Sequence, residues 1–447
     1  MKTNISRRGF LKRTFGAAVG AAGIPYIVPS LVLGVNGAVL PSDKIVIGSI
    51  GVGGMGTGHV RQLLGYKDVR VAAVCDIWPV RQKKVKGIVD KFYGNDDCIA
   101  YADFRELLAR KDIDGCIIAT CDHWHVLVGL EAARNRKDMY LQKSMGVYFD
   151  ENQALRKAVK QYDVVFQFGT QQRSDNEFRF ICELVRNKRI GKLHTIMVGS
   201  VPSWLVPTPQ TEPVPDDFNY DLWLGPAPWA PYSFSRCGPR AEGAGNWYVS
   251  SDYAMGHISG WGIHHVDIAQ WGNGTDDTTP IEVEGTGVIP GDGLCDTAVE
   301  WEVEHRYANG VKLIHMDIKT ALKRAPQFQA DWGCGILFLG SEGWAFVSRG
   351  ILDASPKSLL KAAVGPDEIH LPRTKDHMRN FLNCVRTRQQ TICPIDVAVH
   401  SDTICHQGNI ALRLGRKLRW DPLKECFIND DQANRMLSRP MRSPWHL

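Results

Sequence analysis

Two short stretches hold the side chains best suited to moving protons and charge beside a reacting carbon. In "LQKSM", Lys143 closes an apolar run. Its ammonium can hydrogen-bond a hydroxyl and stabilise the alkoxide that forms as a hydride leaves. In "SGWGIHHVDIAQW", His264 follows Trp261. Imidazole is the side chain whose ordinary pKa lies nearest neutrality, so His264 is the acid/base candidate. His265 and Asp267 come next, at the start of an apparent helix, where Asp267 would orient a histidine or favour the helix N-terminus. The plainer alternatives are a solvated lysine and a capped structural histidine. Metal binding is the other chemistry such residues offer. His123-x-His125 and His264-His265 supply four imidazoles, flanked by Asp122 and Asp267. Neither pair has the i, i+4 spacing that puts two ligands on one helix face, and no cysteine joins them, so no metal site is expected.

The elements that would position these groups begin with "KIVIGSIGVGGMGTGHV". Ile45, Val46 and Ile47 read as a buried strand, and "HVRQLL" as a helix. Between them Gly51, Gly53, Gly54, Met55 and Gly56 form G-x-G-x-x-G. The first glycine permits a tight turn, the second lets a pyrophosphate reach the backbone, and the third lets helix and strand pack closely. A second strand, "VRVAAVC", ends in Asp76, whose carboxylate would bond ribose hydroxyls and repel a 2′-phosphate. The expected cofactor is therefore NAD.

Helix and strand patterns alternate onward to about residue 166, which argues for a parallel, doubly wound sheet. Ligands of such sheets sit at the carboxyl ends of strands. Thr120, His123, His125, Gln142 and Lys143 fall there, and Asp122 is the expected N-cap of a helix running through Ala133. Arg173 follows the strand "VVFQF" and would either hold substrate or tie surface loops. Beyond it, "AVEWEVEHRYANGVKLIHMDIK" alternates like two antiparallel strands with a turn at Asn309-Gly310. "GILFLGSEGWAFVSRG" reads as another hairpin, with Gly343 near its turn. "DHMRNFLNCVRTRQ", capped by Asp376, and "DVAVHSDTICHQGNIALRLG" are closing helices that would brace the sheet or the first domain. Residues 201–259 form a long stretch rich in Trp, Tyr, Pro and Gly, as in "DLWLGPAPWAPYSF" and "GNWYVSSDY". Aromatic faces of this kind pack on the C–H faces of sugar rings. The expected fold is thus α/β plus α+β. A segment of residues 1–42 precedes a Rossmann domain over 43–166. An α+β domain over 167–447 carries the insertion and the closing helices.

Taken together and in order, "GVGGMG", "ATCDHWH", "LQKSM" and "GIHHVDIAQW" resemble the Gfo/Idh/MocA oxidoreductase family. The resemblance runs over about residues 43 to 447, "RMLSRPMRSPW" included. It is nearest to the exported bacterial branch with a Trp-rich insertion, whose members include NAD-dependent glycosidases and sugar dehydrogenases. It implies a Rossmann domain, then an open, mostly antiparallel sheet whose face meets the nicotinamide. It also implies redox chemistry at carbons of sugars or cyclitols, a cofactor-side place for His123 to His125, and homo-oligomers built through the sheet. Three positions depart from the family pattern. Its Glu-Lys-Pro is Gln142-Lys143-Ser144, and its aspartate four residues before the histidine is Gly260. Gln142 takes a negative partner from Lys143. Ser144 stands where a cis proline is frequent, and because a non-proline cis bond is costly a different loop is expected.

At 447 residues, 44% hydrophobic and 23% charged, the chain is too long for one typical core. Its net charge of +5 is partly due to Lys2, Arg7, Arg8, Lys12 and Arg13. The body has no basic tract, so no nucleic-acid partner is expected. None of the 12 cysteines forms a C-x-x-C pair, and most read as buried free thiols. Ser6-Arg7-Arg8-Gly9-Phe10-Leu11-Lys12 matches a twin-arginine signal, and an uncharged, glycine-rich stretch follows it. The expected location is the periplasm, with membrane contact only during export or through an uncleaved signal anchor. No nicotinamide pool recycles the cofactor there, so tightly held NAD is expected. The sequence reads as an NAD-dependent oxidoreductase acting on a ring hydroxyl of a sugar or glycoside. One alternative is a redox-neutral glycoside hydrolase that oxidises, eliminates, hydrates and re-reduces. The other is a non-catalytic carbohydrate-binding protein on the same frame.

Overall fold

A computed structural model describes residues 43–240, 243–328 and 333–447. The twin-arginine stretch lies outside the described residues. The first sheet is built from β1 (Ile45–Ile50), β2 (Val69–Cys75), β3 (Ile99–Tyr101), β4 (Gly115–Ile118), β5 (Asp138–Leu141) and β6 (Phe166–Phe168). Its order is β3-β2-β1-β4-β5-β6 and every pair is parallel. The strands are short apolar runs because both faces are covered, and β4, β5 and β6 are buried at every residue. Helices α1 (Gly54–Leu64), α2 (Pro79–Tyr93), α3 (Phe104–Leu108), α4 (Asp122–Arg134) and α5 (Phe149–Tyr162) make the crossovers. The strand order reverses between β1 and β4, where such sheets open a crevice for ligands. Cys121, not Asp122, occupies the N-cap of α4, and Asp122 lies in its first turn. A carboxylate there still faces the positive end of the helix dipole.

Helix α6 (Asn176–Arg186) leads into a nine-stranded sheet. Its strands are β7 (Leu193–Ser200), β8 (Glu282–Val288), β9 (Glu300–Arg306), β10 (Lys312–Asp317), β11 (Gly335–Gly340), β12 (Trp344–Ser348), β13 (Ile351–Ser355), β14 (Leu418–Asp421) and β15 (Cys426–Phe427). The order is β13-β12-β11-β7-β10-β9-β8-β14-β15, antiparallel except for β7 beside β10. Alternation along β9 shows how one face was chosen. Trp301, Val303 and His305 are buried, while Glu302, Glu304 and Arg306 point outward and form ion pairs with neighbouring side chains. The β9–β10 turn falls at Asn309-Gly310, where Gly310 has φ +87° and the Asn309 side chain accepts from the Val311 N–H at 3.0 Å. Strands β11 and β12 form the second hairpin.

Three further helices bind the parts together. Helix α7 (Gly262–Asn273) packs on β7 and against α6, and every residue but Asn273 is buried. Helix α8 (His377–Thr387) starts at Asp376, which caps the Arg379 N–H at 3.0 Å. It sends Met378, Phe381 and Leu382 into the core that Ile45, Ile47 and Val71 build in the first sheet. Helix α9 (Ile395–Leu414) braces β8 and α7. Helices α8 and α9 therefore divide the bracing between the two sheets. All 12 cysteines are free, and all but Cys121 and Cys426 are buried.

Eight buried histidines make this core acid-sensitive. Burial pushes His59, His125, His257, His265 and His377 down to about 4, and His123, His305 and His315 to about 3. The unfolded chain takes up those protons near pH 6.5, so stability must fall as pH drops from there towards 4. Burial also raises Asp76, Asp138, Asp150 and Asp252, and takes Asp122 and Glu151 to about 7; these carboxyls act in the opposite direction but are fewer than the histidines. Melting temperature measured across this range should decline on acidification. A flat or rising profile would refute the neutral-histidine core.

Candidate active site

The turn after β1 forms a cradle with little slack. Gly51 has φ +79°, and a Cβ there would lie 2.5 Å from the Ala119 carbonyl oxygen. A Cβ on Gly56 would lie 1.9 Å from the Gly51 oxygen, so the start of α1 is pressed against the turn. Gly53 and Gly54 are open by contrast. A Cβ on Gly53 meets nothing nearer than 3.7 Å, and one on Gly54 nothing within 4 Å. The backbone at this helix N-terminus is thus open to close approach, which suits a pyrophosphate. At the end of β2, Asp76 accepts the Val52 N–H at 2.9 Å and the Trp78 N–H at 3.0 Å. Burial raises its pKa against the pull of Arg81 and those N–H groups. Two oxygens that each take one backbone donor keep lone pairs for ribose hydroxyls. The residues present therefore fit a dinucleotide, with Gly53 and Gly54 at the pyrophosphate and Asp76 at a ribose.

A cavity of about 900 Å³ joins this cradle to the catalytic candidates. Gly51, Gly53, Gly54, Met55 and Asp76 line one part. Thr120, Asp122, His125, Gln142 and Lys143, from the ends of β4 and β5, line the next, and Trp261 and His264 complete it. Gly56 stands behind the turn and acts through packing. The Lys143–Ser144 peptide bond is cis although no proline is present. The Ser144 hydroxyl accepts from Ser259 at 2.8 Å, and Ser259 also reaches the buried Asp402 at 3.3 Å. This hydroxyl chain ties the lysine loop to the segment that precedes His264. The His125 ring bridges the Ser144 and Thr120 carbonyls at 2.5 and 3.2 Å.

Lys143 Nζ donates to Tyr248 Oη at 3.1 Å. Burial favours the neutral amine, but the Tyr248 hydroxyl and the Asp122 carboxyl outweigh it, and the Lys143 pKa is raised. The group is a cation and a donor. Asp122 is pushed by burial to about 7, with Lys143 pulling it down, and its Oδ2 is buried without a hydrogen-bond partner among the described residues. His264 is held well below the usual imidazole range by burial and then by the Lys143 and Arg349 cations. It is neutral, its ring set edge-on to Trp261 at 6.0 Å, and able to accept a proton.

Several lining residues carried no sequence signal of their own. The insertion contributes Trp223, Arg240, Trp247 and Tyr248 to the wall. Its composition indicated a sugar surface, but only folding selects which aromatic faces inward. Arg349, between β12 and β13, lies over the Trp261 ring at 4.9 Å. Gly260 is as closely covered as Gly56. A Cβ there would sit 1.9 Å from Tyr248 Oη and 2.4 Å from its Cζ.

Other candidates lie away from the cavity. Arg173 is fully buried, with two bonds to the Asp267 carboxylate at 2.7 and 2.8 Å and two to Asp276 at 2.9 and 2.8 Å. Asp267 therefore neither orients a histidine nor caps α7, and Arg173 holds no substrate. A guanidinium this deep requires carboxylate partners. His265 is fully buried behind Trp261, and burial and Arg349 push it down to about 4. His123 sits 2.9 Å from the Trp223 carbonyl, and its own N–H donates to Tyr253 at 3.1 Å. It fastens the insertion to α4 rather than touching a cofactor. Removing one member of a buried ion pair costs about 3–5 kcal/mol. Arg173→Ala should lower urea-unfolding stability by about that amount, and a loss under about 1 kcal/mol, the scale of exposed pairs, would contradict this placement.

Comparison with known proteins agrees with the fold. Residues 45–170 match the oxidoreductase family's NAD-binding Rossmann fold, and residues 204–333 and 363–447 its C-terminal alpha/beta domain. The chain is 31% identical over 169 residues to a glycosyl hydrolase family 109 protein of Shewanella baltica, covering 33% of this chain and 35% of that protein. It is 27% identical over 156 residues to myo-inositol 2-dehydrogenase of Thermotoga maritima, covering 34% and 44%. The matched segments span less than half of each relative. The fold is shared with the WlbA dehydrogenase of Bordetella pertussis, solved with NADH and UDP-GlcNAcA, at a TM-score of 0.61 and 14% identity over 85% of this chain and 99% of that one. The glycine cradle, the acidic end of β2 and the lysine after β5 are therefore those of a Gfo/Idh/MocA oxidoreductase, the family to which this chain belongs.

Proposed function

We propose that this protein is an exported, NAD-dependent oxidoreductase that acts on a ring hydroxyl of a sugar or glycoside and keeps its dinucleotide bound through the cycle. The observation that carries this reading is the single cavity joining the glycine cradle to a lysine cation and a neutral histidine. When bound, the dinucleotide supplies an acceptor for hydride at the substrate carbon. Lys143 donates to the oxygen on that carbon and steadies the charge that develops there. His264 takes the hydroxyl proton. Burial and the nearby cations disfavour the imidazolium, so the proton is readily passed on. The aromatic wall from Trp223 to Tyr248 offers faces for the C–H side of a pyranose. The names of the inositol dehydrogenase and of the WlbA complex support a polyhydroxylated substrate. The twin-arginine stretch supports export, by a route suited to a protein folded around its cofactor.

A second reading is favoured by the similarity to the Shewanella glycosyl hydrolase. Oxidation at C3 acidifies the C2 proton, the leaving group departs from C1, water adds, and the ketone is reduced again. Such a glycosidase needs no pair of carboxylates. Aryl glycosides in D2O separate the two. Keto product without cleavage supports net oxidation, whereas deuterium at C2 of released sugar supports the redox-neutral route. In either case Lys143→Met and His264→Ala should each slow turnover by about 100-fold or more. Full turnover in both variants would overturn the role assignment.

A further inference from the structure

The space beside Gly260 belongs to Tyr248. This tyrosine comes from a short 3-10 turn, Asn246–Val249, inside the insertion. Its ring is stacked on Trp204 at 6.4 Å and meets Trp247 and His257 edge-on at 5.1 and 5.3 Å. Its oxygen lies where a side chain at position 260 would begin, 1.9 Å from the Cβ position, so a residue larger than glycine and this tyrosine exclude each other. Tyr248 Oη accepts the Lys143 N–H at 3.1 Å, and its own hydrogen has no acceptor among the described residues. Tyr248, Lys143 and His264 line the same cavity.

We infer that Tyr248 is a further catalytic residue, whose hydroxyl donates a hydrogen bond to the reacting oxygen of the substrate beside Lys143. The inference rests on the proposed oxidation of a hydroxyl. An aspartate at position 260 would present a negative acceptor to that oxygen. The phenol presents a donor, and Gln142 likewise removes a carboxylate next to Lys143. The two substitutions turn the surroundings of the oxygen from anionic to donating. Burial raises the Tyr248 pKa against the pull of Lys143, so the phenol keeps its hydrogen at neutral pH. The bond accepted from the ammonium polarises the phenol and strengthens its donation. One proton moves in this step. The substrate O–H bond breaks and an N–H bond forms on His264, while Tyr248 and Lys143 keep their hydrogens and hold the oxyanion between them. The insertion thus supplies part of the chemistry as well as a surface for the sugar.

Tyr248→Phe keeps the ring and removes only the donor. Loss of one oxyanion donor lowers kcat by about 10²- to 10³-fold. The variant should show that fall with little change in substrate KM, in bound dinucleotide or in melting temperature, and with a larger isotope effect for a substrate deuterated at the reacting carbon. Fluorotyrosine at 248 keeps the shape and sharpens the donor, so its kcat should rise. Unchanged kcat in Tyr248→Phe, while Lys143→Met is inactive, overturns the role of Tyr248 and leaves the proposed function standing. Full activity in both variants overturns the proposed function itself. If Tyr248→Phe loses its fold, the fluorotyrosine protein decides: unchanged kcat there overturns the inference.

Discussion

A half-buried ammonium at the wall of a cavity is steadied by a partner, and at Lys143 that partner is a hydroxyl delivered from another part of the chain. The Lys143–Tyr248 bond fixes where three structures meet. The first is the carboxyl edge of the parallel sheet, which ends β5 at the lysine. The second is the stretch leading into α7, whose Gly260 leaves room for the tyrosine oxygen. The third is the insertion, which places the tyrosine. Each of the three must arrive to within a fraction of an ångström for the bond and the close approach to coexist.

Buried polar networks supply that accuracy. Asp402 accepts from Ser259 at 3.3 Å and from Asn152 at 2.8 Å, and so links α9 and α5 to the segment before Gly260. Ser259 in turn holds Ser144, and the departure from proline becomes a connection between the lysine loop and α7. On the far side of α7, the Arg173 guanidinium grips Asp267 while Ser401 donates to the same carboxylate at 2.8 Å. The insertion is fastened separately, with the Trp223 carbonyl meeting the His123 ring and taking the Trp124 indole N–H. Such groups are costly to bury unpaired, so they specify one arrangement.

Much of the dinucleotide half, with some caps and turns beyond it, was legible in the sequence because those signals are local. The glycines of the β1 turn, the acid closing β2, the Asp376 cap and the Asn309-Gly310 turn each lie within a few residues of what they control. The active site was legible only in part. Lys143 and His264 follow from motif and element ends. Tyr248 is 105 residues from the lysine it serves, among many aromatics of similar type, and its meaning appears only when Gly260 is seen beneath it. Arg173 could not be separated from a ligand-binding arginine because its carboxylate partner is 94 residues away. Asp267 was misplaced for the same reason. The cis bond at Ser144 was not expected either, since the hydroxyl contacts around it come from α7's approach and from α9.

The proposed export and the cofactor together would place a joint demand on this molecule. A dinucleotide carried to a compartment without a nicotinamide pool would have to travel with the protein and stay in it, and the pressed glycine turn is suited to that. The most direct test is to denature the purified mature protein, without added nucleotide, and assay what is released. This account predicts close to stoichiometric NAD. Finding no dinucleotide, together with no binding of added NAD by the folded protein, would contradict it.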